Sequence, residues 1–195
     1  MDNEEMVKVN NDNAQKYRGI FDFVSTIALA VVIVAIAFTF FFRTVGVSGS
    51  SMFPTLHDKD RIILSAYDKD IKPGQIVVTC QPSNYIYIEP TLVKRVIATE
   101  GQTVAIDFVN GVVYVDGVAL DEPYISEPAT DPEDFYNMVG PEGYFVVPDG
   151  HVFVMGDNRN ASTDSRDMRV GTIREEYILG KAYFRMMPFG QFKIG

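Results

Sequence analysis

The chain has 195 residues, 47 % hydrophobic and 22 % charged, the proportions of a globular protein rather than a disordered or collagen-like one. Seventeen Lys and Arg against 26 Asp and Glu leave a net charge of −9, which excludes the basic face that a nucleic-acid binder needs to displace counterions from phosphates. A single cysteine, Cys80, excludes an intrachain disulfide framework and a multi-cysteine zinc site, and the two histidines, His57 and His151, argue against a His-rich metal centre.

The first element in the chain is apolar. Val24–Phe42 contains nineteen residues without a charge, and its apolar side chains cover every face. At ~1.5 Å per residue a helix of this length spans close to ~30 Å, the thickness of a bilayer hydrocarbon core. A cleavable leader would have a shorter apolar core of ~7–15 residues followed by small residues. Here Arg43 follows directly, so the run reads as a retained transmembrane helix. Lys16 and Arg18 precede it, and the positive-inside rule places the N-terminus in the cytoplasm and the rest outside. The chain divides into a cytoplasmic tail (1–20), one plasma-membrane helix (21–43) and an extracytoplasmic domain (44–195), with the lipid bilayer as a partner.

Beyond residue 44 short apolar runs recur at Arg61–Ser65, Gln75–Thr79, Thr91–Ile97, Val112–Val115, Tyr144–Val147 and His151–Met155. Turn signals punctuate them at Pro73-Gly74, Asn110-Gly111, Asp116-Gly117, Pro141–Gly143 and Asp149-Gly150. The pattern predicts a mostly β domain, a partly closed barrel or stacked sheets. Residues 121–143 are acidic, carry prolines and lack strand alternation, so they read as a long solvated surface excursion. The terminal stretch Tyr183–Phe189 reads as a last core strand, with apolar surface facing the lipid as the alternative.

Three stretches carry candidate chemistry. In Val47–Thr55, small residues flank Ser51 and Pro54 stiffens the chain beyond it. Alone, this reads as a flexible juxtamembrane linker. With a base nearby, it could present a nucleophilic hydroxyl beside backbone N–H groups free to hold an oxyanion. Lys94 is the candidate base. Strand alternation puts it on one face with Leu92 and Val96, and Arg95 on the other. Apolar neighbours desolvate a lysine and can lower its pKa by up to ~3–5 units, leaving a neutral amine able to accept a proton. The alternative is an edge-strand lysine reaching to water. The third stretch, Gly156–Arg166, is dense in hydrogen-bonding side chains. It fails as a calcium loop, because Arg159 stands at a ligand position and the loop glycine and terminal Glu are missing. In it, Ser162 could orient a buried amine, and Asp164 with Arg166 could brace the loop.

Together Ser48–Leu56, Lys94–Ile97 and Gly156–Arg166, supported by Pro73–Val78 and Val113–Val118, resemble the type I signal peptidases. These are membrane-bound Ser–Lys endopeptidases that remove signal peptides. The likeness runs from the apolar span to the carboxyl end with the motifs in the family's order. It implies that Ser51 is the nucleophile and Lys94 its general base, that Ser162 hydrogen-bonds the lysine, and that Asp164 and Arg166 support the site. It places Val47, Met52 and Val93 around the pockets for small side chains at the −1 and −3 positions of a preprotein signal peptide. Gly49 matches the Gram-positive branch, which implies a backbone or water donor beside the Ser51 N–H at the oxyanion. Gln75 and Gln102 stand where the family carries aspartates that brace turns. The resemblance calls for no metal or cofactor, and names the protein export machinery as a further partner.

Overall fold

The computed structural model describes residues 3–65, 68, 70–82, 91–132, 135–138 and 143–187. The chain separates into two units, residues 1–41 and 42–195. The first is one helix, α1 (Asn3–Phe41), whose stretch Tyr17–Ile36 has a mean hydropathy of 2.5, is exposed throughout and is long enough to cross a membrane. Its apolar residues surround the axis, as in helices that contact lipid on all sides.

The second unit is built from β-strands: β1 (Phe42–Gly46), β2 (Arg61–Ser65), β3 (Ile76–Cys80), β4 (Thr91–Thr99), β5 (Thr103–Asp107), β6 (Val112–Val115), β7 (Val118–Ala119), β8 (Phe145–Val146), β9 (His151–Met155), β10 (Ile173–Arg174) and β11 (Ile178–Met187), with one short helix, α2 (Phe135–Met138), before β8. They form a seven-stranded sheet in the order β1-β2-β11-β3-β4-β9-β10 and a four-stranded sheet in the order β7-β6-β5-β8. Every pairing is antiparallel. The architecture is mostly β sheet, as the punctuation predicts.

The central strands of the large sheet are buried on both faces. Ile76 and Val78 of β3 point into a cluster with Val47, Met52, Leu56, Ile62 and Leu64, while Val77 between them joins Val96, Val152 and Val154 on the opposite side. Phe153 and Met155 of β9 face a third cluster, with Ile97 of β4, Val104 and Ile106 of β5 and Val113 of β6, which glues the two sheets together. Burial on both faces explains why β3 and β9 read as unbroken apolar runs rather than alternating ones. The β6–β7 hairpin closes on Asp116-Gly117, both at positive φ (51° and 77°), the backbone that a two-residue type I′ turn demands.

Some elements differ from the sequence expectation. The helix stops at Phe41, and Phe42 and Arg43, expected inside the membrane segment, pair with Ser65 and Leu64 as the start of β1. An edge strand abutting an apolar helix shows no break in hydropathy. β5 alternates its burial along Thr103–Asp107. β10 is two residues long, too short to register as a run. The 121–143 segment, expected to be a solvated excursion, packs inward at several points: Ala129 and Phe135 are fully buried, and Phe135 meets Phe153 edge-on. Its acidic and prolyl residues cover an inner side that sequence composition conceals. Pro141, Glu142 and residues 188–189 lie outside the described residues.

Candidate active site

Ser51 sits in the loop between β1 and β2. The loop closes at its base where the Val47 N–H donates to Asp60 O (2.8 Å) and the Lys59 N–H donates to Val47 O (2.9 Å). Buried Asp60 anchors that base, its carboxylate accepting from the His57 N–H (2.9 Å) and Arg185 Nη1 (3.2 Å). Gly49 has φ +82°, a backbone that L side chains adopt only with strain, and its N–H donates to Asp58 Oδ1 (3.0 Å). Beyond it one helical turn forms, with the Leu56 N–H donating to Met52 O (2.8 Å). Met52 and Leu56 plunge into the core, 1 % and 0 % exposed, which holds the turn and leaves Ser51 half-buried above it. Val47, Met52 and Val93, matched by resemblance to the pocket walls, do meet in one apolar cluster. Val93 borders it, and Met52 lies within its packed interior.

Facing the turn is β4. Its alternation is as the sequence predicts: Val93 packs with the Met52 cluster, Leu92 and Val96 with the Val77 cluster, and Lys94 lies opposite Val77 in the ladder. Lys94 is only 3 % exposed, and its Nζ lies 2.7 Å from Ser51 Oγ. A lysine buried to this extent has lost most of its contact with water.

The Gly156–Arg166 loop binds the back of the nucleophile. The Asn158 N–H donates to Ser51 O (3.0 Å) and its side-chain amide to Ser50 O (3.1 Å). Asp157, fully buried, accepts from Thr55 Oγ1 and from Arg95 through Nε (2.8 Å) and Nη2 (2.7 Å). Gly156 is the point of closest approach. A Cβ there would lie 2.3 Å from Ser162 Oγ and 2.4 Å from Ser51 O, so a larger residue enters only if one of these partners shifts. Among the described residues, the Ser51 N–H donates to no protein acceptor.

Ser162, Asp164 and Arg166 lie together, but the hydrogen bond that Ser162 Oγ donates runs to Asp164, whereas the partner that the resemblance implies is Lys94. Asp164 Oδ2 accepts from Ser162 Oγ (2.7 Å), from the Gly156 N–H (2.9 Å) and from Arg166 Nη2 (3.0 Å), while Oδ1 accepts from Arg166 Nε (2.9 Å). Burial pushes the Asp164 carboxyl upward, yet the charge and forked hydrogen bonds of Arg166, the Gly156 N–H and the nearby Lys94 outweigh it and hold the group below its ordinary value. The Ser162 hydroxyl therefore donates toward Asp164, leaving its lone pairs as acceptors. Gln75 and Gln102 brace their turns after all: Gln75 Oε1 accepts from the Lys72 N–H (2.9 Å), and Gln102 Oε1 from the Thr99 N–H (3.0 Å). Among the described residues, no group of three or more His, Cys, Asp or Glu side chains gathers to hold a metal ion.

The sequence profile of the family described as "Signal peptidase, peptidase S26" matches residues 20–187. The chain belongs to the S26 signal peptidase family. It is 34 % identical over 191 residues to a Signal peptidase I of Bacillus amyloliquefaciens, covering 96 % of this chain and 98 % of that protein. Signal peptidase I T of Bacillus subtilis is 35 % identical over 171 residues, covering 86 % and 85 %. Signal peptidase IB of Staphylococcus aureus is 33 % identical over 195 residues, covering 89 % and 93 %. A crystal structure of a signal peptidase I from Enterococcus faecalis superposes with a TM-score of 0.46 at 26 % identity, over 57 % of this chain and 96 % of that one. The geometry adds residues around Ser51 that sequence reasoning left without a role: Gly156, Asp157 and Asn158, with Thr55 and Arg95. Asn158 and Arg95 hold main-chain carbonyls, Asp157 ties Thr55 to Arg95, and Gly156 fixes spacing; only the density of polar residues in Gly156–Arg166 signals this beforehand.

Proposed function

We propose that this S26 family member is a membrane-anchored serine endopeptidase that removes signal peptides from exported preproteins, with Ser51 as nucleophile and Lys94 as general base. The observation that carries the reading is the 2.7 Å separation of a buried Lys94 Nζ from Ser51 Oγ. An uncharged amine at hydrogen-bond distance from a serine hydroxyl can take its proton as the oxygen attacks a carbonyl. β4 pairs with β3 over residues 91–95 but meets β9 only from Arg95 onward, so among the described residues 91–94 keep one backbone edge without a strand. An extended substrate segment adding to that edge would lie beside Lys94. Its scissile carbonyl oxygen would turn toward the unengaged Ser51 N–H, which stabilises the oxyanion as it forms. Collapse of the tetrahedral adduct breaks the C–N bond, and the leaving amine takes the proton from Lys94. The neutral amine then activates water to hydrolyse the ester.

The apolar cluster of Val47, Met52 and Val93 beside the turn favours small side chains at the −1 and −3 positions. The exposed apolar α1 anchors the chain in the plasma membrane as a single pass, N-terminus in the cytoplasm, with Lys16 and Arg18 at the N-terminal end of the apolar stretch. The catalytic unit then faces outward, where exported preproteins arrive. Incubating a preprotein with wild type and with Ser51→Ala, followed by mass spectrometry of the products, tests the reading. Cleavage by the wild type alone, after a small residue, supports it, and equal cleavage by both overturns it.

A further inference from the structure

Arg95 follows Lys94 on β4 and points to the opposite side, where its guanidinium is held on several sides. Its Nε and Nη2 bind Asp157 and its Nη1 donates to Gly74 O (2.6 Å). Across its flat face lies the Tyr124 ring, 3.9 Å from the guanidinium carbon to the ring centroid. The same ring has the Arg159 guanidinium carbon 6.0 Å from its centroid. Tyr124 Oη donates to Glu122 (2.9 Å), and Glu122 receives both terminal nitrogens of Arg159, an ion pair with side-chain exposures of 0 % for Arg159 and 6 % for Glu122. Arg159 Nε in turn donates to Gly156 O (3.1 Å), at the closest approach to Ser51. Further along, Asn160 Oδ1 accepts from the Thr130 and Asp131 N–H groups, and its amide donates to Pro128 O.

Resting on the Ser–Lys reading above, we infer that Glu122 and Tyr124 are positioning residues for the dyad: the 121–132 strap fills the space between Arg95 and Arg159 and sets the distance between the Lys94 strand and the loop that grips Ser51. Neither residue touches Ser51 or Lys94 in the contacts described. Each acts through an arginine whose other contacts belong to the site. Arg95 shares Asp157 with Thr55, four residues beyond the nucleophile, and is bonded in the chain to Lys94 itself. Arg159 is bonded to the carbonyl of Gly156. An aromatic face suits this station because it attracts two cations without adding a charge that would favour the Lys94 ammonium. The Tyr124 hydroxyl stays protonated, because burial and then the Glu122 carboxylate push its titration far upward.

The test compares Tyr124→Leu, Tyr124→Phe and Glu122→Gln with wild type, as full-length protein in detergent, on a soluble signal-peptide substrate. Loss of the ring in Tyr124→Leu should lower kcat about tenfold, equivalent to about 1.4 kcal/mol of barrier, with KM within about twofold. Tyr124→Phe, which keeps the ring face, should recover most of that loss. A second reading does not depend on cleavage: the rate at which a small acylating reagent labels Lys94, measured by mass spectrometry against Lys181. Lys181 is equally buried, 3 % exposed, but paired with Asp68 away from the strap. Faster labelling of Lys94 with Lys181 unchanged supports the positioning role. Labelling of both lysines rising together, or an unchanged kcat, or a loss confined to KM, would overturn it. If Tyr124→Leu does not fold, the isosteric Glu122→Gln decides by the same pattern. If wild type cleaves no preprotein, the proposed function falls while the Lys94-to-Lys181 labelling ratio still judges the strap.

Discussion

Gly156→Ala should cost far more than one methyl group usually does. The added Cβ would stand 2.4 Å from Ser51 O and 2.3 Å from Ser162 Oγ, whereas ordinary contact begins at 3.4 Å. One of these partners must therefore retreat by about 1 Å. The Ser51 carbonyl is held by the Asn158 N–H, and Ser162 by Asp164, so the strain passes into the nucleophile turn or the loop behind the lysine. Overpacking of this kind costs on the order of 1–3 kcal/mol, which for a domain of this size lowers Tm by roughly 2–12 °C. A displacement of about 1 Å at a reacting group can reduce kcat by about 100-fold. Gly46→Ala provides the comparison, because a Cβ there meets nothing within 4 Å and its φ is ordinary. It should change stability by less than about 0.5 kcal/mol. The assay is thermal unfolding beside kcat on a soluble signal-peptide substrate. A Gly156→Ala protein with wild-type Tm and kcat would show that the convergence of Ser51 and Ser162 on this position has no bearing on catalysis.

Ser162→Ala removes the hydroxyl that donates to Asp164 and should leave a folded protein whose kcat is reduced by about fivefold or more, a lost hydrogen bond of on the order of 1 kcal/mol; an unchanged kcat would reduce Ser162 to an ordinary loop residue. Asp164 is held below its ordinary value in the folded state, so its contribution to stability is complete above the unfolded-state pKa of ~3.9 and is lost as pH falls from there through the folded value. Chemical denaturation between pH 6 and pH 3 should show that fall in wild type and a flatter profile in Asp164→Asn; identical profiles would contradict it. Deleting residues 1–41, which spares β1, should preserve kcat on a soluble peptide while slowing processing of a bilayer-embedded preprotein, since confinement to one surface raises effective concentration. Equal losses on both substrates would refute the proximity effect.

The large sheet was legible because its central strands are apolar on both faces, and β3, β4 and β9 emerge from β-branched runs alone. Residue type alone did not pair Ser51 with Lys94: the serine stretch by itself reads as a linker and the lysine as an edge-strand residue, and it is the resemblance that joins two positions which only the folding of the β1–β2 loop against β4 brings to 2.7 Å. The supporting residues were harder to read. Asn158 holds main-chain carbonyls, and Asp157 works through Arg95, contacts between positions far apart in the chain that leave no periodic trace. The 121–143 segment misled for a physical reason. Its contacts come from single inward residues, Glu122, Tyr124, Ala129 and Phe135, set among acidic and prolyl neighbours that face water. Gln75 and Gln102 show that a departure from the family pattern need not alter local geometry, because an amide oxygen accepts the same backbone N–H that a carboxylate would.

The dyad stands or falls on a comparison of Ser51→Ala, Lys94→Ala, Lys94→Arg and the Ser51→Ala/Lys94→Ala double variant, each assayed for kcat on one preprotein across pH. Groups that act as a unit lose catalysis together, so the two alanine variants and the double variant should fall to the same residual rate. Lys94→Arg should not recover, because a guanidinium stays protonated. The wild-type rate should climb with pH as Lys94 gives up its proton. A Lys94→Ala protein that retains near-normal kcat, or a double variant far worse than either single one, would contradict the assignment of Lys94 as the base for Ser51.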